Sequence, residues 1–312
     1  MHPFRFGVST VTPTTADELR DLARKAEHLG YDVLAIPDHV LPGLLSPFAA
    51  LGAAAAVTTT LKLGTLVLNN DLRHPALAAR EAASLDLLSG GRVELGLGAG
   101  HGWPEYEALG LPFDAARIRI ERLDEAASIV ARLLHGESVT HDGAHYRLHE
   151  HALWPPPTRQ PRIPLLIGGF GERLLRVAAR RADIVGFTGV GRTLEDGRSH
   201  DPAGFAAPAV DARVALVREA AGERLPGLEF HALVQTVVIA EDRERAAQEL
   251  TEKLGGLSAA DILGSPLVLI GTVDDLAEEL HGHRERFGIS YYTVFDRDLE
   301  RLAPVVRLLA GT

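Results

Sequence analysis

Short apolar runs alternate with longer stretches of helical period along the whole chain. The run FRFGV (4–8) precedes TADELRDLARKAEHLG, in which Leu19, Leu22, Ala23, Ala26 and Leu29 share one helical face and Gly30 supplies a C-terminal cap. DVLAI (32–36) precedes SPFAALGAAAAVT. LKLGTLVL (61–68) precedes HPALAAREAASLDLLSGG, where Pro75 suits a first helical turn. VELGLG (93–98), PLLIGG (164–169), DIVGF (183–187), LEFHALVQTVVIA (228–240) and ISYYTVF (289–295) continue the alternation, and a last helix is predicted over 297–310.

This makes eight βα units whose strands are apolar throughout rather than alternating, the pattern of a parallel sheet covered by helices. Eight units in 312 residues fit a (β/α)8 TIM barrel better than a doubly wound sheet, as a single domain over 1–312. Two excursions interrupt it: residues 136–163, an insertion after the fourth βα unit, and residues 188–210. Both are expected to lie over the active face. In such a barrel, chemistry gathers at the C-terminal strand ends. That singles out Ser9, Asp38-His39, Leu66 to Asn70, Gly98 to His101, Gly168 to Gly171, Thr188 and Gln235.

Composition narrows the chemistry. A net charge of −10 argues against a nucleic-acid surface. The absence of cysteine excludes disulfides, thiol nucleophiles and thiolate metal sites. No stretch reads as a membrane span and the first residues do not read as a signal peptide, so a cytoplasmic protein acting on a small molecule is expected. The only lysines are Lys25, Lys62 and Lys253, none at a strand end, which removes Schiff-base chemistry. No His-x-His follows the first strand, and neither a nucleophile elbow nor a P-loop occurs.

Three patterns remain. HDGAHYRLHEH (141–151) has histidines at ligand-like spacing, but Asp142-Gly143 marks a hairpin turn and no metal site is expected. Gly168-Gly169-Phe170-Gly171 joins a strand to a helix, as either a tight turn or an anion site. Asp38-His39 closes the second strand, as either a capping acid with a satisfied imidazole or a proton-transfer pair. Arg73-His74-Pro75 is a salt-bridged helix entry or an arginine above the third strand. Trp103, Trp154 and Phe187 suggest an apolar wall at the mouth.

Together, residues 26–32, PDHV (37–40), the block 63–100, LLIGGFGERLLRVAARRADIVG and the segment 271–294 resemble the bacterial luciferase-like monooxygenase superfamily, in particular its coenzyme F420-dependent oxidoreductase branch. The resemblance covers nearly the whole chain. It implies a dimeric (β/α)8 barrel that binds F420 or FMN at the strand C-termini. It also implies a non-prolyl cis peptide near Leu66-Val67 behind the cofactor ring, and Asn69 facing that ring. Gly98, Gly100 and His101 fall at the matching fourth strand end. Gly168, Gly169 and Phe170 match the segment that holds the cofactor phosphate, His39 the histidine beside the reactive ring centre, and Asp38 its companion. The chain departs from the pattern in two places. Dehydrogenases of this branch carry a carboxylate where Gly100-His101 stands. Lysines used by some relatives on the phosphate are missing, which leaves Arg73, Arg173 or Arg176 for that task. The implied function is hydride transfer between F420 and a small organic substrate; an FMN-dependent monooxygenase and a non-catalytic flavin-binding barrel are the alternatives.

Overall fold

The computed structural model describes residues 2–40, 44–157, 162–188, 202–254 and 256–312. Eight parallel strands form the barrel: β1 Arg5–Ser9, β2 Val33–Ile36, β3 Lys62–Thr65, β4 Val93–Gly98, β5 Leu165–Gly169, β6 Ile184–Phe187, β7 Glu229–Leu233 and β8 Ile289–Phe295. Their order around the sheet is β3-β2-β1-β8-β7-β6-β5-β4, and pairing of β3 with β4, Leu63 opposite Val93, closes the ring. A (β/α)8 barrel is therefore the fold, with each strand where its apolar run lies.

The uniform apolarity of the runs conceals two different faces. Phe4, Phe6, Val8, Leu34, Ile36, Leu63, Leu95, Leu97, Leu165, Ile167, Val185, Phe187 and Phe230 belong to the large core that packs against the helices. A second, smaller cluster comprises Val33, Ala35, Leu66, Leu166, Ile184 and Tyr291, with half-buried Val67 and Leu233 packed on it. Period-2 alternation assigns these to the barrel interior. On the same face Arg5 bonds to Glu94 and, at 2.6 Å, to Glu229, while its guanidinium lies 4.4 Å from the Tyr291 ring centre. Glycine makes room for this crowding: a Cβ on Gly7 would stand 2.7 Å from Thr293 Oγ1.

His231 is fully buried in this interior, with Nε2 2.9 Å from Thr293 Oγ1. Burial, and then the charge of Arg5, pushes its imidazole down to about 3. An unfolded histidine titrates near 6.5, so the unfolded chain binds the extra proton first as pH falls. The stability contributed by neutral His231 is thus present above about pH 6.5 and is lost progressively toward pH 3. Between pH 7 and pH 5 the loss is about 2 kcal/mol. His231→Gln keeps a polar group facing Thr293 without titrating, so its unfolding free energy should fall about 2 kcal/mol less than that of the unaltered protein over this interval. Equal pH slopes in urea unfolding would refute this account.

Several elements differ from the sequence reading. The run 61–68 divides into β3 and a short strand, Leu68–Asn69, that resumes beside β4, and the Leu66–Val67 peptide between them is cis, as the family resemblance implied. The run 228–240 divides, and its second part, Thr236–Ile239, pairs outside the barrel with an unpredicted strand, Val268–Gly271. The excursion 136–163 contains the expected hairpin, Val139–Asp142 with Arg147–His151. The Tyr146 side chain of this hairpin meets Asn70 and His74 in the loop after β3. Glu125 of helix Ala116–Leu134 accepts the backbone N–H of Tyr146 at 2.8 Å and lies 2.9 Å from His141 Nε2, which lays the hairpin along that helix. Of the excursion 188–210, residues 189–201 lie outside the described residues, as do 158–161. Residues 202–210 form a 3-10 turn and the start of helix Ala207–Ala221.

Candidate active site

The second strand delivers its polar pair into a network that sequence spacing did not reveal. Pro37 ends the run, and Asp38 turns inward and is buried. Its carboxylate pairs with the Arg73 guanidinium, the second oxygen 3.1 Å from Nη2, and accepts the backbone N–H of Asn69 at 3.1 Å. Arg73 also stands 3.5 Å from Glu81. Arg73 is thus the salt-bridged helix entry that was one of its two readings. Asp38 ties β2 to the loop after β3, and Arg73 faces the two carboxylates of Asp38 and Glu81.

His39 is one third exposed, at 33%, and its Nδ1 lies 2.7 Å from Oε1 of Glu105, whose side chain is 6% exposed. The ring of His101 meets it edge to face, centroids 5.5 Å apart. Glu105 belongs to helix Trp103–Ala108, which the sequence reading missed because six residues are too few for a helical period. The available signal was Trp103-Pro104-Glu105: proline at the first turn with an acid beside it. A carboxylate does reach the mouth after β4, from a position beyond Gly100-His101.

Asn69 is buried, and its Oδ1 caps the backbone N–H of Asp71 at 3.1 Å. The Tyr106 hydroxyl lies 3.1 Å from that oxygen and 3.0 Å from Asp71 Oδ2, and burial, then the Asp71 charge, raises this phenol. Arg122 joins Asp71 at 2.9 Å and Asp114 at 2.8 Å. Gly100 is left-handed (φ 72°), and a Cβ there would stand 2.6 Å from Asn69 Oδ1, so no other residue fits without displacing the network. Asn70 Nδ2 donates to the Tyr146 hydroxyl at 2.9 Å, the point where the insertion hairpin touches this region.

Val67 is enclosed by glycines. A Cβ on Gly98 would come within 2.5 Å of its side chain and one on Gly168 within 3.1 Å. These glycines therefore seat Val67, and the half-buried valine, with Leu233, tops the interior cluster as an apolar floor below the strand ends. Leu66 lies within that cluster, buried. Gly169 packs on Leu174, and Gly171 N-caps helix Glu172–Arg181 with open space where a Cβ would stand. Phe170 lies under the guanidinium of Arg213, 3.3 Å from ring centre to Cζ. Arg213 donates to the Gly204 carbonyl at 2.9 Å and has no salt bridge among the described residues; burial lowers it to about 10. Of the expected apolar wall, Trp103 alone stands at the mouth. Phe187 is buried edge-on to Phe230 in the helix-facing core. Trp154, 88% exposed, lies on the outer surface beside Arg80 and Leu87.

A closed parallel barrel whose polar groups converge at the strand C-termini defines a small-molecule site of TIM-barrel type. The family profile described as luciferase-like monooxygenase matches residues 1–291, and the chain belongs to that family. It is 35% identical over 189 residues to a protein of Microbacterium testaceum called F420-dependent glucose-6-phosphate dehydrogenase, covering 58% of this chain and 55% of that one. The chain thus spans about half the length of the curated relatives it matches. Among solved structures it resembles a coenzyme F420-dependent tetrahydromethanopterin reductase from Methanopyrus kandleri, with TM-score 0.75, 19% identity, and coverage of 98% of this chain and 99% of that one. It also resembles an F420-dependent secondary alcohol dehydrogenase in complex with an F420-acetone adduct, with TM-score 0.76, 18% identity and coverage of 98% and 97%. At these identities the two structures support the fold.

Proposed function

We propose that this chain is an F420-dependent oxidoreductase that moves a hydride between the deazaflavin and a small organic substrate. The observation that carries the reading is the placing of His39, oriented by a buried carboxylate, at the barrel mouth whose apolar floor is Val67 and Leu233. The residues present fit the cofactor. A flat ring suits the Val67 floor, with the glycine strand ends Gly98, Gly100 and Gly168 around it and Asn69 and His101 at its edge. Gly168, Gly169 and Phe170 with the N-terminus of helix Glu172–Arg181 suit its phosphate. Arg213, stacked on Phe170, is one cation beside this loop. Arg173, exposed, and Arg176, half-buried, lie on that helix.

When bound, the deazaflavin supplies or accepts a hydride at C5. His39 would hold the accompanying proton, and the half-exposed Val40 and Trp103, next to His39 and on the helix that carries Glu105, offer apolar surface for an organic substrate. A homodimer belongs to the same reading, supported by the exposed Leu77, Leu87 and Leu88 on helix Pro75–Ser89.

Titration of the purified protein with F420 and with FMN tests the cofactor. F420 is expected to bind at least about tenfold more tightly, a difference of about 1.4 kcal/mol. Tighter FMN binding would replace this reading with an FMN-dependent monooxygenase. Binding of F420 without turnover of glucose 6-phosphate, secondary alcohols or activated C=C and C=N compounds would favour a non-catalytic binding barrel.

A further inference from the structure

Outside the hydride chemistry itself, the least expected group at the mouth is Glu105. Carboxylates are seldom buried without a task, because losing water costs several kcal/mol unless partners replace it. Here the side chain folds back over the His101-Gly102 turn, and a Cβ on Gly102 would stand 3.3 Å from its Cδ, within reach of contact. The absence of a side chain at Gly102 lets the carboxylate lie close over the turn and reach His39 at 2.7 Å. Helix Trp103–Ala108 sets its backbone, with the Glu105 N–H on the Gly102 carbonyl at 3.0 Å. The imidazole is thus held on two sides, by Glu105 at Nδ1 and by the edge-on ring of His101.

An ionised carboxylate only accepts hydrogen bonds. The His39–Glu105 contact therefore requires the proton on Nδ1, which leaves the lone pair of the neutral imidazole on Nε2. Nε2 makes no hydrogen bond to any described residue. We propose that Glu105 is a positioning residue that fixes His39 in its Nδ1–H tautomer, so that Nε2 is the atom that exchanges a proton with the substrate. The proposal rests on the role given to His39 above, but its structural content does not depend on the cofactor. Nε2 of the neutral imidazole would take the hydroxyl proton in a substrate oxidation, for which F420 would be the hydride acceptor, and the imidazolium would return that proton from Nε2 in a reduction, for which F420 would be the hydride donor. Asp38, bonded to Arg73 and the Asn69 amide, cannot serve in this way.

The test is the long-range proton–nitrogen spectrum of histidine-labelled protein without cofactor at pH 8.5. The chain has 14 histidines, and the His39 signals are assigned by their loss in His39→Gln. Neutral His39 should show a protonated Nδ1 and a bare Nε2. Glu105→Gln, whose amide oxygen still accepts, should retain that pattern, whereas Glu105→Ala should shift it toward the Nε2–H tautomer. Nε2–H in the unaltered protein, or an unchanged tautomer in Glu105→Ala, would overturn the proposal. Should Glu105→Ala not fold, the spectra of the unaltered protein and of Glu105→Gln decide. Because no F420 is present, failure of this test is separate from failure of the F420 titration.

Discussion

His39→Ala should lower turnover by about 10²–10⁴-fold, the usual contribution of a positioned proton donor or acceptor. The loss should appear in kcat, with F420 affinity kept within about threefold, because the Val67 floor and the Gly168-Gly169 loop are untouched. Stability should fall by about 1–3 kcal/mol, because the buried Glu105 carboxylate loses the imidazole it faces at 2.7 Å. The experiment pairs steady-state rates, followed through the deazaflavin absorbance, with a cofactor titration. A variant that turns over as fast as the unaltered protein would remove His39 from the chemistry. A variant that loses only cofactor affinity would make it a binding residue.

The second large effect is on stability. Asp38→Ala should cost about 3 kcal/mol, toward the low end of what breaking a buried ion pair costs. The Arg73 guanidinium would retain only the half-exposed Glu81 at 3.5 Å, and the Asn69 amide would lose its acceptor. Residual solvent access to Arg73 keeps the loss from being larger. Asp38→Asn should cost less, because its amide oxygen can still accept from Asn69. Urea unfolding measures both, and a shift below about 0.5 kcal/mol for Asp38→Ala would mean that the pair is a surface-like contact. Because Asp38 joins β2 to the loop after β3, cofactor affinity should fall as well, which separates this variant from His39→Ala.

These two neighbours show how far spacing carries and where it stops. Adjacent in sequence and equally polar, Asp38 and His39 read as one functional pair. In the fold they face different partners, Asp38 bonding to Arg73 from 35 residues on and His39 to Glu105 from 66 residues on. Gly98 and Gly168 were legible as special positions at strand ends, yet their reason, the space taken by Val67 from another strand end, is a contact between residues distant in sequence. Phe187 and Trp154 had the composition of a pocket wall, but strand alternation turns the first toward the helices. The hairpin carries the second to the outer surface.

The sequence by itself determined the barrel, its eight strands, the hairpin after the fourth unit and which residues stand at the C-terminal strand ends. Those features follow from hydrophobic period and turn chemistry, which are local and repeat along the chain. Only the tertiary structure decided which acid serves His39, which arginine stands beside the glycine loop and what the glycines accommodate. Each of these is a contact between residues distant in sequence, set by barrel closure and by competition among charges for partners, and neither leaves a periodic trace in the chain.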